Sequence, residues 1–202
     1  MIFTVHEGSL RVLLVRRSAP PASGSWALPG GRWDGTETLE GAAQRKLVDE
    51  TGATDLYLEQ LFTTSGLDAT QPAAVAVCYV ALVESGTVRL RSGETWRPAW
   101  HDVAALPGLA FRNEEVIAQA VSRIRAKLEY TNVAYGLLPE EFTLPELQLI
   151  YEAIAGRALD RRNFRKRMLG AGIVEPTGEL RRSGAHRPAR LYRFTTREPV
   201  FL

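Results

Sequence analysis

Lys46, Asp49 and Glu50 are spaced three and four residues apart, which puts their side chains on one face of an α-helix. Two carboxylates and one ammonium therefore share a surface. Just upstream, Gly30 and Gly31 leave backbone N–H groups unshielded, so they are candidate phosphate contacts; the competing use of such a pair is a tight turn. Glu37 and Arg45 are expected to pair and brace the loop against the helix, and Gly52 to end it. Ligand contacts are thus expected at Gly30, Gly31, Lys46 and Glu50. A charge about 4 Å from another is worth ~1–4 kcal/mol, depending on the local dielectric. Lys46 therefore opposes cation binding by its two acidic neighbours, or else touches a diphosphate itself. No catalytic residue and no metal ligand is assigned.

A second constellation is cationic. Arg161, Arg162, Asn163, Arg165, Lys166 and Arg167 share one short segment, and Arg181, Arg182, Arg187 and Arg190 follow in a loop. Residues 156–197 carry twelve Lys/Arg against Asp160, Glu175 and Glu179 only, a local +9, in a chain whose net charge is +2, so the remainder is acidic at −7. Arg and Asn are the residue types that read guanine and adenine edges through paired hydrogen bonds. A loop of arginines neutralises backbone phosphates or reaches the minor groove. The alternative is a solvated basic face. RNA binding lacks an aromatic stacking platform.

The elements that position these groups follow from local patterning. Residues 2–6 and 10–17 are β-rich runs around Glu7, Gly8 and Ser9, which predicts a hairpin. WALPGGRWDGTE is irregular backbone, with Trp26 assigned to packing rather than to stacking on a base. Thr38 caps a helix carrying Leu39, Ala42, Ala43 and Leu47 at helical spacing. Strands are expected over Tyr57–Thr63, Ala73–Leu82 and Thr95–His101. A long helix from Asn113 to Glu129 presents Val116, Ile117, Ala120, Val121, Ile124 and Leu128 as one stripe. Residues 131–141 connect this mixed α/β part to a second one. There, Thr143 and Glu146 form a capping box, Gly156 ends that helix, and Asp160 caps the basic one. Ile173 and Val174, the turn PTGE and the apolar LYRF complete a helix, helix, strand, loop, strand order, that of a winged helix-turn-helix.

Composition narrows the classes further. At 202 residues with 45% hydrophobic content, either one large or two small domains fit. The single cysteine, Cys78, lies in an apolar run and is expected to be a small core residue. His6, His101 and His186 are scattered without metal-ligand spacing. The N-terminus lacks a secretory pattern, and no apolar run approaches the ~20 residues that span a bilayer. A soluble cytoplasmic protein with no membrane partner is expected.

Gly31, Glu37, Arg45, Leu47, Glu50 and Gly52, with Asp49 where one of two paired Glu residues belongs, resemble the Nudix box: Gly, five residues, Glu, seven residues, Arg-Glu-apolar-x-Glu-Glu-x-Gly. In active Nudix hydrolases, carboxylates stand at all three positions occupied here by Lys46, Asp49 and Glu50, and gather magnesium against a diphosphate. With LEYTNVAYGLLPEEFTLPELQLIYEAI, LDRRNFRKRML and RPARLYRF added, nearly the whole chain is similar to the Nudix-related transcriptional regulators of bacteria. The resemblance implies an α+β chain: a Nudix-like α/β/α sandwich with a mixed sheet over 1–130, a linker over 131–141, and a mostly helical winged helix-turn-helix over 142–202. It further implies a cytoplasmic homodimeric repressor of NAD or pentose metabolism genes. ADP-ribose or a related NAD-derived nucleotide is the implied effector, bound without any required cofactor and releasing double-stranded operator DNA. Two readings compete with it: a magnesium-dependent Nudix pyrophosphatase acting on ADP-ribose or a similar nucleotide, and a protein-binding adaptor. The loop GLDATQPAAVAV departs from the arginine-bearing loop associated with the family's ADP-ribose site.

Overall fold

The structure is a computed structural model that describes residues 1–51, 57–68, 71–90, 96–182 and 188–201, with Glu50, Thr51 and Trp96 described as backbone only. Its first hairpin joins β1 (Ile2–His6) to β2 (Ser9–Arg17). Glu7 and Gly8 form the two-residue turn with φ of 50° and 76°, the left-handed pair that matches strand twist. β3 (Trp26–Ala27) and β6 (Trp96–Asp102) both pair with β2, while β1 lies parallel to β5 (Val75–Leu82), which in turn pairs antiparallel with β4 (Tyr57–Ser65). The sheet is therefore mixed.

Alternation along the strands gives the sheet two buried faces. Ile2, Leu13, Ala81 and Val83 cluster with Leu47 of α1 (Leu39–Thr51), whose first turn is capped by Thr38 Oγ1 accepting the Gly41 N–H at 3.0 Å. Phe3, Val12, Leu14, Val80 and Leu82 belong to the other cluster, which takes in α2 (Asn113–Tyr130). The buried stripe of α2 is Val116, Ile117, Ala120, Val121, Ile124 and Leu128, together with Asn113. This is the α/β/α sandwich that the resemblance implied. Cys78 is buried, and burial pushes its thiol pKa up, as befits a small core residue.

The second half holds the expected order. α3 (Leu144–Ala155) starts at a capping box of Thr143 and Glu146 and ends at Gly156, φ 69°. α4 (Arg161–Gly170) starts where the Asp160 carboxylate accepts the Asn163 N–H at 2.8 Å. β7 (Phe142–Thr143), β9 (Ala189–Phe194) and β8 (Val174–Arg181) form a small antiparallel sheet in the order β7-β9-β8. One expectation is corrected: PTGE does not separate two elements but lies inside β8. The register slips there between Pro176 and Leu180, and Gly178 takes φ 89°, so the turn residues make a bulge rather than end the strand.

Residues 131–141 join α2 to β7, but not as an exposed tether. Val133–Leu137 form a 3-10 turn in which every residue is buried. A Cβ on Gly136 would stand 2.9 Å from the Leu82 carbonyl oxygen, so only glycine lets this turn lie on the end of β5. The Tyr135 ring stands edge-on to Tyr57 at 6.0 Å and to Phe194 at 6.4 Å. Asn132, fully buried, donates to the Thr196 and Glu198 carbonyls and accepts the Val200 N–H. Arg197 donates to the carbonyls of Tyr135, Leu138 and Pro139. One apolar cluster accordingly runs from Phe3 and Val12 through Tyr135 to Phe142 and Phe194. Among the described residues, no helix is long and apolar enough to cross a membrane.

Candidate nucleotide loop and nucleic-acid interface

The loop before α1 is built from local hydrogen bonds. Asp34 Oδ1 accepts the Thr36 hydroxyl at 2.7 Å and its N–H at 2.9 Å, which hold the Asp34 carboxyl below the usual carboxylate range. The Trp33 indole donates to the Glu37 carbonyl at 2.7 Å. Arg45 donates through Nη2 to Glu37 Oε1 at 2.5 Å, the expected brace, and Glu37 raises the Arg45 guanidinium pKa. Arg45 Nη1 also stands 3.9 Å from Asp49 Oδ2. Both carboxylates therefore face one cation.

Lys46 comes close to Gly31. A Cβ on Gly31 would lie 3.1 Å from Lys46 Cε, whereas one on Gly30 would meet nothing within 4 Å. Neither glycine has a positive φ, so a left-handed turn does not explain them; close approach of Lys46 accounts for Gly31, and Gly30 borders open space. The Glu50 side chain and Gly52 lie outside the described residues. The described carboxylates of this loop and helix do not fit a magnesium ion, because Glu37 is paired with Arg45 and Asp49 Oδ2 stands 3.9 Å from the same guanidinium. Among the described residues, no three His, Cys, Asp or Glu side chains gather.

Behind this loop, Arg32 reaches Gln71 Oε1 at 3.4 Å. A cleft of about 520 Å³ opens nearby, lined by Ala22 and Ser25, Gly66 to Asp68, and Ala110 to Arg112. Trp26 packs edge-on against His101 at 4.4 Å, in keeping with a packing role. Burial lowers the His101 imidazole pKa, and its buried Nε2 has no partner. His6 is exposed, and His186 lies outside the described residues.

The basic segment divides in two. On α4, Phe164 and Met168 are buried while Arg161, Arg162, Asn163, Arg165 and Lys166 are exposed. Arg167 turns back instead, donating to the Leu128 and Glu129 carbonyls at 3.3 and 3.0 Å. Arg181 likewise serves the fold: it meets Glu146 Oε1 at 2.7 Å and the Glu141 carbonyl at 2.9 Å. Each is thus tied to the protein's own backbone, though Arg167 is exposed and Arg181 half-buried. Arg182 and Arg190 are exposed, and Arg187 lies outside the described residues. The exposed residues without such a bond to the backbone are Arg161, Arg162, Asn163, Arg165, Lys166, Arg182 and Arg190.

Sequence reasoning missed Asn113, which is 5% exposed and accepts the Leu28 N–H at 2.7 Å. It ties α2 to the backbone that leads into Gly30. Its partner is 85 positions away, so no local pattern could have flagged it.

Known proteins agree with this architecture. Residues 1–121 match the NUDIX domain model, and residues 134–194 match that of the NrtR DNA-binding winged helix domain. The chain is 37% identical to the ADPR responsive transcriptional repressor NtrR of Acinetobacter baylyi, over 99% of this chain and 82% of that protein. The crystal structure of Shewanella oneidensis NrtR complexed with a 27mer DNA superposes with TM-score 0.83 at 37% identity, covering 96% of this chain and 90% of that one. The NUDIX domain of the same Shewanella protein complexed with ADP ribose superposes with TM-score 0.53 at 37% identity, over 61% of this chain and 83% of that one. With both halves matched in order and nearly the full length aligned, the chain belongs to the NrtR family of Nudix and winged-helix regulators.

Proposed function

We propose that this chain is a transcriptional repressor that binds operator DNA through α4 and the β8–β9 wing and leaves it when ADP-ribose binds the Nudix loop. The carrying observation is the exposed cationic row of α4, whose Arg161, Arg162, Arg165 and Lys166 have no carboxylate partner among the described residues. A second helix of this kind lies in the major groove in winged helix-turn-helix proteins. Residues 1–130 act as the sensor and 142–202 as the DNA-binding part. The protein works in the cytoplasm as a homodimer, which would match two half-sites one helical turn apart. Gly30, Gly31 and Lys46 contact the diphosphate, and Lys46 replaces the carboxylate that hydrolysis would require. The test is fluorescence anisotropy on DNA selected from a random pool, titrated with ADP-ribose with and without magnesium, with AMP followed in the same tubes. Release without AMP supports the reading. Magnesium-dependent AMP formation that is abolished by Glu50→Gln refutes the non-enzymatic part, and failure to retain any DNA refutes the whole.

A further inference from the structure

Polar contacts hold α2 at both ends, among them those of its own Asn113 at the start and of Arg167 of α4 at the finish. α2 has 18 residues, so at 1.5 Å per residue it is a rod of about 27 Å. Its N-terminal end meets the Nudix loop through the bond from the Leu28 N–H to Asn113 Oδ1 at 2.7 Å, and Asn113 Nδ2 donates to the Phe111 carbonyl at 3.3 Å. Its approach runs through Phe111 and Arg112, held at φ 61° and 52°, a region that bulky residues seldom occupy. Its C-terminal end leaves carbonyls without helical partners. Arg167 of the basic helix takes two of these, at Leu128 and Glu129, where a cation also suits the helix dipole. From the last turns, Arg125 donates to the Ile154 carbonyl of α3 at 2.7 Å. Lys127 pairs with Glu59 of β4 at 2.5 Å.

We infer that α2 is the lever joining the nucleotide loop to the DNA-reading helix, with Asn113 and Arg167 as the positioning residues at its two ends. The inference rests on the ADP-ribose response proposed above. A ligand that shifts the backbone before Gly30 moves Leu28, and the bond to Asn113 passes that shift to a rod that cannot bend without losing its own hydrogen bonds. At the far end the rod holds α4 by two directional bonds, so the basic face turns with it. Apolar contacts alone would let these surfaces slide.

The experiment uses the full chain, the selected DNA and ADP-ribose, and reads the ratio of DNA Kd with saturating ADP-ribose to that without it. A ratio of roughly 5–150 is typical of coupled sites. Arg167→Met keeps the aliphatic stem and loses both carbonyl bonds. It is expected to bind DNA alone within a few-fold of wild type and to bind ADP-ribose unchanged by calorimetry, with the ratio falling toward one. Arg167→Lys, which can still donate to a carbonyl, is expected to restore most of it. Asn113→Ala, at the end of α2 opposite α4, is expected to lower the ratio as well at saturating ADP-ribose. Wild-type ratios in Arg167→Met and Asn113→Ala overturn the lever. Loss of all DNA binding in Arg167→Met also overturns it, because Arg167 would then be a DNA contact. A ratio of one in the wild-type protein sinks the ADP-ribose response itself, and the lever with it.

Discussion

Gly136→Ala tests whether the connecting turn is seated on the sheet. The added Cβ would stand 2.9 Å from the Leu82 carbonyl oxygen, 3.2 Å from its Cβ and 3.5 Å from its carbonyl carbon. The obstructing atoms are backbone and the root of a fully buried side chain, so no rotamer change relieves the clash. Overpacking of this kind costs about 1–3 kcal/mol. Against it, Gly136 has no positive φ, so alanine gains about 0.4–1 kcal/mol by restricting the unfolded chain. The clash wins, leaving a net loss of about 1–2 kcal/mol. For a chain of this size that lowers Tm by roughly 2–8 °C, at about 2–4 °C per kcal/mol. Gly170→Ala is the control: it sits at the end of α4, and its Cβ would meet nothing within 4 Å. The same entropic gain is there unopposed, and Tm should rise. Thermal unfolding followed by circular dichroism checks both. A Gly136→Ala protein as stable as wild type would mean that the turn does not rest on β5.

Other perturbations separate the roles further. Arg165→Ala should weaken DNA binding and flatten the plot of log affinity against log salt by about 0.9 per lost phosphate contact; Arg181→Ala should lower Tm and leave that slope alone. His101→Phe should raise Tm more at pH 5 than at pH 8. Burial holds the folded imidazole pKa below its ordinary 6.5, so its stabilising contribution is complete above that pH and erodes as the pH falls. Phenylalanine removes both the titration and the unpartnered Nε2 while keeping the ring against Trp26; equal gains at the two pH values would contradict this. Lys127→Met should cost about 1–3 kcal/mol in urea unfolding, because among the described residues Glu59 then keeps the Tyr57 hydroxyl alone as partner.

What was legible in the sequence was legible because it is local. Thr143 and Glu146 are three residues apart, Asp160 and Asn163 likewise, and Glu37 and Arg45 face each other across one loop, so residue type and spacing identify each contact. Arg167 and Arg181 look identical to their basic neighbours. Their partners at Leu128, Glu129 and Glu141 lie 38–40 positions away, and only the packed structure shows which arginines bond back to the fold. The burial of 131–141 was hidden for a similar reason. LLPEE looks like surface connection, but Tyr135 and Gly136 fill a space shaped by Tyr57, Leu82 and Phe194. PTGE carries the composition of a turn, and β9 pairs across it all the same.

The clamp on Asn132 bears on the order in which the molecule is made. Its side chain is completed by backbone groups of residues 196–200, more than sixty positions later. A growing chain can assemble the sheet, α1 and α2 while the rest is still being synthesised, since domains fold as units from the N-terminal side. The joint behind Asn132 stays open until those late residues emerge. A chain cut short after β9 would keep α4 and the wing strands but leave the Asn132 side chain without these partners. Such a chain should be more sensitive than the full chain to proteases at residues 131–139.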